Sequence, residues 1–189
     1  MNLTSGAADG VFCEDVPTLM QKHFDELHTG SGIPVELIQE RGYCSILGKK
    51  ALADAGFGKS QQRPIGMMMP VQTPDGQALQ VCYKPDIPRI VRGKKLKYEL
   101  PSRSTARLDV PPRCRETIKD PSVELWITEG IKKADALAAH GLTVVALLGV
   151  WNFKGRNDFG GTTLMADFDY VAWNGRTVNI VFDSDVMQK

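Results

Sequence analysis

The sequence predicts an α/β protein in which a parallel sheet in the last third follows a smaller part made of helices and a β-hairpin. Three patterns predict this fold: helical spacing of apolar residues near the start, a Pro-Asp-Gly turn between two apolar runs, and a strand–helix–strand succession near the end. The 189 residues are 42% hydrophobic and 24% charged, which excludes disorder as the main state. No apolar run in the sequence approaches the roughly 20 residues that span a bilayer.

The first third predicts short helices. Apolar residues over 19–27 recur at helical spacing, and Asp15 is a candidate N-cap before them. A second helix is predicted over 34–39 and a third over 47–55, with Gly42 able to end the second. We therefore expect this part of the chain to contribute helices to the fold.

A β-hairpin is predicted in the middle of the chain. The apolar runs 67–71 and 78–83 flank Pro74-Asp75-Gly76, and this turn is favourable because proline presets φ while glycine accepts a positive φ. Residues 85–113 follow, with eight basic side chains and several prolines. Because proline removes backbone donors, we expect this stretch to be irregular.

The net charge of +1 conceals a basic middle between acidic flanks. Residues 84–120 hold eleven Lys and Arg against five Asp and Glu, a net charge of +6, whereas residues 1–83 carry −3 and residues 121–189 carry −2. This asymmetry suggests a polyanionic partner. A solvated, lysine-rich surface explains the same pattern, so charge alone leaves both interpretations open.

The last third predicts a parallel βαβ unit. A strand is expected over 123–128, a helix over 131–140 and a buried strand over 143–148. Because a helix joins them, the two strands should be parallel and the crossover right-handed. Residues 177–182 are predicted to form a further buried strand.

Carboxylates directly follow two of these predicted strands. Glu129 comes after the first, and Asp183 and Asp185 come after the last. Ligands of open α/β sheets bind beyond the carboxyl ends of the strands, so we expect these three acids to converge. Clustered carboxylates repel unless a cation lies between them, and Mg²⁺ is the natural ion for such oxygen ligands. The alternative is that all three cap strand or helix ends on a solvated rim. Asp167 and Asp169, which follow no clear strand, are set aside.

The same segments resemble a known family. Residues 125–137, which include Glu-Gly-Ile-Lys-Lys-Ala-Asp-Ala, resemble the Toprim domain of bacterial-type primases, topoisomerases and some nucleases, as do 144–149 and 178–185. The sequence Glu-Gly-Ile-Lys-Lys-Ala-Asp-Ala is most similar to the Toprim-like domain of uncharacterised plasmid- and phage-borne replication proteins. The resemblance therefore points to a primase-type Toprim domain.

The resemblance extends upstream. Met69-Pro70-Val71, Pro74-Asp75-Gly76, Tyr83-Lys84 and Lys97-Tyr98 follow the order of the small subdomain that precedes Toprim in bacterial-type primases. It implies that Lys97 matches the family's catalytic-core lysine, near the template or nucleotide phosphates, with Tyr83 and Tyr98 as aromatic support for a bound strand. Glu99 departs from the pattern, because primases usually have an asparagine after the Lys-Tyr pair.

The resemblance implies a Rossmann-like parallel sheet with Mg²⁺ or Mn²⁺ at one edge. Glu129, Asp183 and Asp185 would be both the metal ligands and the catalytic residues. The implied partners are single-stranded DNA or another nucleic acid, nucleoside triphosphates, and replication proteins such as a helicase, and no membrane association is expected. The candidate phosphate-binding residues are Lys84, Arg92, Lys94, Lys95, Lys97, Lys132 and Lys133.

Two domains are expected. The first is a primase-core-like subdomain over 1–120 with a basic segment at 84–119, and the second is a Toprim-like domain over 121–189. The sequence ends four residues after Asp185, where Toprim domains continue with a helix and a strand that covers the sheet edge. We therefore expect an incomplete domain with an open edge at which another chain can pair. The lack of a secretory signal and of a Cys-x-x-Cys pair predicts a cytoplasmic protein.

The predicted function is that of a Mg²⁺-dependent nucleic-acid enzyme, first of all a primase-like nucleotidyltransferase that makes primers in plasmid or phage replication. Two alternatives stay open. A Toprim nuclease would use the same acids to activate water on a phosphodiester. A non-catalytic module would bind nucleic acid or a protein without turnover, although such a module has no need of three clustered acids.

Overall fold

The computed structural model describes residues 19–78 and 80–183 of the chain. The predicted N-cap Asp15 and the third predicted acid, Asp185, lie outside these residues. Within them, the strands form a four-stranded sheet, a three-stranded sheet and two two-stranded hairpins. The fold is α/β with a parallel-containing sheet, as the sequence predicts.

Two of the three predicted helices are confirmed. Helix α1 spans Gln21–Ser31 and α2 spans Val35–Arg41. Each ends at a glycine in the left-handed region, Gly32 with φ 67° and Gly42 with φ 77°. A glycine is favourable at these positions because an L side chain is strained there.

The predicted third helix is wrong at its start. Residues Cys44–Leu47 form strand β1, and helix α3 covers only Lys50–Asp54. Strand β1 pairs antiparallel with residues 65–68, where Leu47 lies opposite Ile65. Strand β1 overlaps the predicted helix only at Leu47, so the helix is present but shorter than predicted. The strand itself was not predicted, because its partner is distant in the sequence.

The predicted β-hairpin is confirmed. Strands β2 (Ile65–Val71) and β3 (Gln80–Pro85) pair antiparallel, with Met68 opposite Tyr83. The backbone N–H of Thr73 donates to the carbonyl of Gln77 at 3.0 Å and closes the turn. Strands β1, β2 and β3 together form the three-stranded sheet.

The basic stretch after this hairpin is irregular only in part, which corrects the prediction. Strands β4 (Arg89–Val91) and β5 (Lys94–Leu96) form a second antiparallel hairpin. Its turn consists of Arg92 and Gly93, with φ of 49° and 78°, and positive φ at both central residues is typical of tight hairpin turns. The short strand β6 (Leu108–Asp109) follows and joins the C-terminal sheet.

The predicted βαβ unit is confirmed as β7 (Leu125–Glu129), α4 (Ile131–Ala139) and β8 (Thr143–Leu147). The sheet has the order β11-β7-β8-β6, with β11 spanning Val178–Val181. Strands β11, β7 and β8 run parallel, and β6 is antiparallel to β8.

The last strand is not buried as predicted. Strand β11 lies at the edge of the described sheet and pairs there with β7 alone. Val178, Ile180 and Val181 are consequently exposed. A β-branched run predicts a strand, but it cannot show whether the strand has one neighbour or two.

The segment between β8 and β11 contains a hairpin that the sequence analysis did not predict. Strands β9 (Lys154–Arg156) and β10 (Thr162–Leu164) pair antiparallel. A short 3₁₀ turn then carries Asp167, whose carboxylate accepts a hydrogen bond from Arg107 Nε at 2.8 Å and one from the Leu108 backbone N–H at 2.8 Å. Asp167 therefore has a structural role, which agrees with setting it aside.

One apolar core joins the N-terminal and C-terminal parts of the chain. Leu27 and Leu37 from the first helices are fully buried together with Met69 of β2 and with Leu125 and Val145 of the parallel sheet. A second, smaller cluster lies beneath the three-stranded sheet. Over the two described ranges, no helix is both long and apolar enough to cross a membrane.

A buried charged network joins the same two parts. The guanidinium of Arg41 donates to both Asp109 oxygens at 2.7 and 3.0 Å and to both Asp135 oxygens, with the shortest of these at 2.5 Å. The Tyr43 hydroxyl donates to Asp135 at 2.5 Å, and the Gln72 backbone N–H donates to Asp109 at 3.0 Å. The three charged side chains are fully buried. Helix α2 is thereby linked to β6 and to α4.

Candidate metal and nucleic-acid site

Two of the three predicted acids lie at the same edge of the parallel sheet. Glu129 is the last residue of β7, and Asp183 follows two residues after β11 ends. Strands β7 and β11 are direct neighbours in parallel register, with Thr128 opposite Val181. The ends of β7 and β11 therefore lie at one edge of the sheet. The convergence of the three carboxylates stays a prediction, because Asp185 is outside the described residues.

Glu129 has a carboxylate available for a ligand. Its side chain is half-buried, and among the described residues it makes no hydrogen bond or ion pair. Gly130 follows with φ 87°, a conformation that lets the chain turn sharply from strand β7 into helix α4. The backbone N–H of Gly130 donates to the Leu147 carbonyl at 2.9 Å, and this bond fixes the position of Glu129 relative to β8.

Asp183 lies beside the first turn of helix α4. Its Oδ2 is 2.6 Å from Nζ of Lys133, and both side chains are substantially exposed. Lys133 is only four residues after Glu129, so this ion pair shows that the exits of β7 and β11 are close together. Lys133 also neutralises the Asp183 charge that would otherwise repel Glu129.

The donor chemistry of this edge fits a hard divalent cation. Glu129 and Asp183 offer carboxylate oxygens, the ligand type that Mg²⁺ and Mn²⁺ prefer. Across residues 19–78 and 80–183, no group of three Asp, Glu, His or Cys side chains is close enough to hold a metal. Of the three acids predicted to bind the metal, the described residues include Glu129 and Asp183, and their role as metal ligands stays a prediction.

Two of the predicted phosphate-binding lysines share one carboxylate. Glu26 of α1 accepts hydrogen bonds from Lys84 of β3 and from Lys132 of α4. Burial raises the pKa of Glu26, but the hydrogen bonds and charges of Lys132 and Lys84 outweigh it, so the net pKa lies below its usual value. Glu26 therefore holds both ammonium groups at the junction between the N-terminal part and the parallel sheet.

The other predicted basic residues lie on or just after the β4–β5 hairpin. The side chains of Arg92, Lys94, Lys95 and Lys97 are all exposed. They form no ion pair with the described acids, so their charges face solvent. This is the arrangement that sequence-independent phosphate binding requires.

Glu99 anchors the segment that carries Lys97. Its Oε2 accepts hydrogen bonds from Arg89 Nε at 2.7 Å and from Gln61 Nε2 at 3.1 Å. Its backbone pairs with Tyr83 on β3. Glu99 is buried and held by these contacts, so its side chain has a structural role.

The two tyrosines expected to support a bound strand differ in the structure. Tyr83 is fully buried, and its hydroxyl donates to the Arg63 carbonyl at 2.8 Å, so its ring cannot stack on a base. Tyr98 is partly exposed. Burial raises the pKa of Tyr98 above its usual value, and the positive charges of Lys84 and Lys133 offset this only in part. Tyr98 therefore lies near Lys84, which pairs with Glu26, and near Lys133, which pairs with Asp183.

The sequence analysis missed Glu26 and the Arg41 network. Glu26 contacts lysines that are 58 and 106 positions away, a separation that periodicity cannot report. Asp135 did carry a signal, because it lies within the Glu-Gly-Ile-Lys-Lys-Ala-Asp-Ala stretch. It shares a buried face of α4 with Ala134 and Ala138, and a charged residue on a buried helix face predicts a buried partner.

One family matches part of the chain by sequence. The family described as "Domain of unknown function (DUF3854)" matches residues 115–189, which include Glu129, Asp135 and Asp183. No curated protein matches the sequence.

Solved primase structures are similar to most of the chain. The Aquifex aeolicus primase, comprising zinc-binding and RNA polymerase domains, superposes with a TM-score of 0.56 at 16% identity, over 87% of this chain and 43% of that one. A DnaG primase catalytic domain bound to ssDNA gives 0.51 at 15% identity, over 90% and 58%. The RNA polymerase domain of Mycobacterium tuberculosis DnaG, in complex with a double-stranded DNA oligomer with a 6-nucleotide overhang, gives 0.55 at 14%, over 87% and 58%.

These similarities concern the fold. The chain spans between 43% and 58% of the length of these three primase chains. The superposed regions cover 87–90% of this chain. The chain therefore has a primase-type α/β fold.

Proposed function

We propose that this chain is a Mg²⁺-dependent, primase-like nucleotidyltransferase with a Toprim-type metal site. The observation that carries the proposal is the placement of Glu129 and Asp183 at neighbouring strand exits of a primase-type fold. Fold alone does not determine function, so the chemistry of this edge is the decisive support. In this proposal, residues 1–120 form the primase-core-like subdomain and residues 121–189 the Toprim-like domain.

Glu129 and Asp183 would hold Mg²⁺ or Mn²⁺ together with Asp185. The ion, when bound, neutralises triphosphate charge and aligns the reacting oxygens for in-line displacement. Lys133 Nζ lies 2.6 Å from the Asp183 carboxylate. On substrate binding, the metal would take the place of Lys133 beside Asp183, and Lys133 would contact a phosphate oxygen instead. Lys132 and Lys84, fixed by Glu26, add positive charge on the side of the N-terminal part.

The exposed basic residues of the β4–β5 hairpin, with Lys97 beyond it, would bind the backbone of single-stranded DNA. Phosphate contacts of this kind are independent of base sequence and weaken as salt rises. The substrates would then be a single-stranded template and nucleoside triphosphates. A role in plasmid or phage replication, with a helicase as a neighbouring protein, is the biological setting that we infer.

The test is primer synthesis on single-stranded DNA with nucleoside triphosphates and Mg²⁺. We expect Glu129→Gln to lower product formation by more than about 100-fold, because several kcal/mol of charge stabilisation depend on the metal. Glu116→Gln is the matched control, because the side chain of Glu116 is 84% exposed and, among the described residues, pairs with Lys119 alone, three positions away. The control should retain full activity.

Three results would contradict the proposal in distinguishable ways. Full primer synthesis by Glu129→Gln would exclude the metal role of this edge. Metal-dependent degradation of DNA without added nucleotides would indicate a Toprim nuclease. Binding of nucleic acid that neither a chelator nor Glu129→Gln affects, without any turnover, would indicate a non-catalytic module.

A further inference from the structure

The β9–β10 hairpin emerges at the same sheet edge as Glu129. Strand β8 ends at Leu147, which lies directly opposite Glu129 in the parallel register. The chain then continues into residues 151–164, here called the aromatic hairpin. Because Trp151 is only four residues beyond Leu147, it lies within about 15 Å of the end of β8.

The aromatic hairpin is a defined structure. The backbone N–H of Met165 donates to the Phe153 carbonyl at 2.9 Å and closes its base. At its tip, the Asn157 N–H donates to the Gly161 carbonyl at 3.0 Å, and the Asn157 side chain accepts from the Gly161 N–H at 2.7 Å. Met165 is buried in the main core, so the hairpin is fixed to the body of the protein.

Large aromatic rings on this hairpin face solvent. Trp151 is 71% exposed and Phe159 is 97% exposed. The Trp151 ring lies beside Phe153, with centroids 6.4 Å apart. Exposed apolar rings are common singly on protein surfaces, but several on one short segment are typical of a binding surface.

Positive charge accompanies these rings. Lys154 Nζ lies 5.1 Å from the Trp151 ring centroid and 5.4 Å from that of Phe153. Arg156 is exposed on the same strand. Neither cation forms an ion pair with any acid in the described part of the chain, so both remain available to an anion. Aromatic faces beside unpaired cations are the combination that single-stranded nucleic acid binds, through base stacking and phosphate contact.

We propose that the aromatic hairpin stacks bases of single-stranded nucleic acid and directs the strand toward the Glu129 edge. The proposal deepens the proposed function, on which its orientation toward the metal site rests. The positive charge of Lys154 and Arg156 beside the exposed rings favours nucleic acid over a protein partner. The centre of a protein–protein interface is usually depleted of lysine. Trp151 and Phe159 are the stacking residues, and Lys154 and Arg156 contact phosphates.

The test measures equilibrium binding of a fluorescently labelled oligothymidylate in EDTA, with an abasic oligonucleotide of equal length as the second probe. We expect Trp151→Ala and Phe159→Ala each to weaken oligothymidylate binding by about 5- to 150-fold, the range of one lost base–aromatic stack. Trp151→Phe should restore most of the affinity. Tyr170→Ala is the matched control, because Tyr170 is an exposed aromatic residue outside the hairpin, and it should bind as the unmodified protein does.

The abasic probe separates stacking from charge. It should bind more weakly than oligothymidylate to the unmodified protein, the difference should be smaller in Trp151→Ala, and the two probes should bind equally to the double variant Trp151→Ala/Phe159→Ala. Unchanged affinity in both alanine variants, equal binding of the two probes, or no binding of either would overturn the proposal. Loss of self-association in these variants with unchanged DNA affinity would also overturn it and indicate a protein-docking surface.

The binding assay contains no metal and no nucleotide, so its outcome is independent of primer synthesis. Stacking without synthesis would remove the proposed function, and with it the orientation toward a metal site, and leave base stacking by the aromatic hairpin in place. Synthesis without stacking would do the reverse.

Discussion

Replacement of Arg41 by methionine should strongly destabilise the fold. Methionine retains an unbranched apolar stem but removes the guanidinium that holds Asp109 and Asp135. Both carboxylates are fully buried, so the variant keeps two charges without their common partner. The remaining donors within the described network are the Tyr43 hydroxyl for Asp135 and the Gln72 backbone N–H for Asp109.

The size of the effect follows from this burial. Removal of one partner from a buried ion pair costs about 3–5 kcal/mol, a large part of the roughly 5–15 kcal/mol that stabilises a typical domain. With a urea m-value of about 1–3 kcal/mol/M, the unfolding midpoint should fall by at least about 1 M. Tyr43→Phe removes a single hydrogen bond to a charged group and should cost about 1.5–3 kcal/mol.

The assay is urea unfolding followed by far-UV circular dichroism at neutral pH. Arg113→Met is the matched control, because Arg113 also forms a two-bond ion pair, with Glu40 at 2.9 and 2.8 Å, but the side chains are 40% and 41% exposed. An exposed pair should contribute no more than about 1 kcal/mol. Equal midpoints for Arg41→Met and Arg113→Met would refute the reasoning. Should Arg41→Met not fold, Tyr43→Phe against Arg113→Met provides the same comparison.

Three further predictions concern single positions. The pKa of Glu26 is lowered in the folded state, so its ionised carboxylate stabilises the fold above pH 4.5, and this stabilisation is lost as the pH falls through the lower folded-state pKa. Glu26→Gln should therefore be less stable than the unmodified protein at neutral pH and should lose less stability on acidification. Urea unfolding midpoints measured across this pH range test both expectations. Gly66→Ala should lower the free energy of unfolding by about 1–3 kcal/mol, because the added Cβ would lie 2.5 Å from the Lys84 carbonyl oxygen. Gly30→Ala in helix α1 should raise it by about 0.5–1 kcal/mol, because the nearest atom to that Cβ is 3.7 Å away. Thermal unfolding must show a lower melting temperature for the first variant and a higher one for the second. Lys133→Ala should change the free energy of unfolding by less than about 1 kcal/mol, since its ion pair with Asp183 is exposed, and a larger loss in urea unfolding would mean that the pair is structural.

Local patterns predicted the parts of the fold that local forces determine. The βαβ unit was readable because β7, α4 and β8 are consecutive and each shows its own period. The turn at Pro74-Asp75-Gly76 was readable from its residue types. Strand β1 was missed because its partner strand β2 is distant in the sequence. The exposure of β11 was missed because the sequence does not show whether a strand has a neighbour on both sides or, like β11 in the described sheet, on one side alone.

The β4–β5 hairpin shows a signal that was present and misinterpreted. Positive charge and prolines between 85 and 113 suggested irregular structure. Within that stretch, Arg92-Gly93 separates two short runs that contain Ile90, Val91 and Leu96. Glycine at the second turn position is a recognised hairpin signal, whereas the prolines restrict only the residues adjacent to them.

The candidate site was predictable only to the extent that strand exits define it. Glu129 and Asp183 could be placed together because parallel strands present their carboxyl ends at one edge. The pairing of Lys84 and Lys132 with Glu26 could not be predicted, because three elements distant in sequence meet there. The role of Lys84 and Lys132 as phosphate ligands stays a prediction, and Glu26 is the competitor that a phosphate would have to displace.

The stretch from Glu129 to Asp135 contains two acids with separate physical roles. Glu129 is half-buried and has no partner among the described residues, whereas Asp135 is fully buried and satisfied by Arg41 and Tyr43. A change at Glu129 removes no native contact described here, so it should spare stability and impair metal-dependent chemistry. A change at Asp135 breaks the link between α4 and α2, so it should lower stability first and impair activity only through unfolding. The two acids have the same charge, but Glu129 ends strand β7 whereas Asp135 lies within helix α4, and their different burial is the reason for expecting different effects.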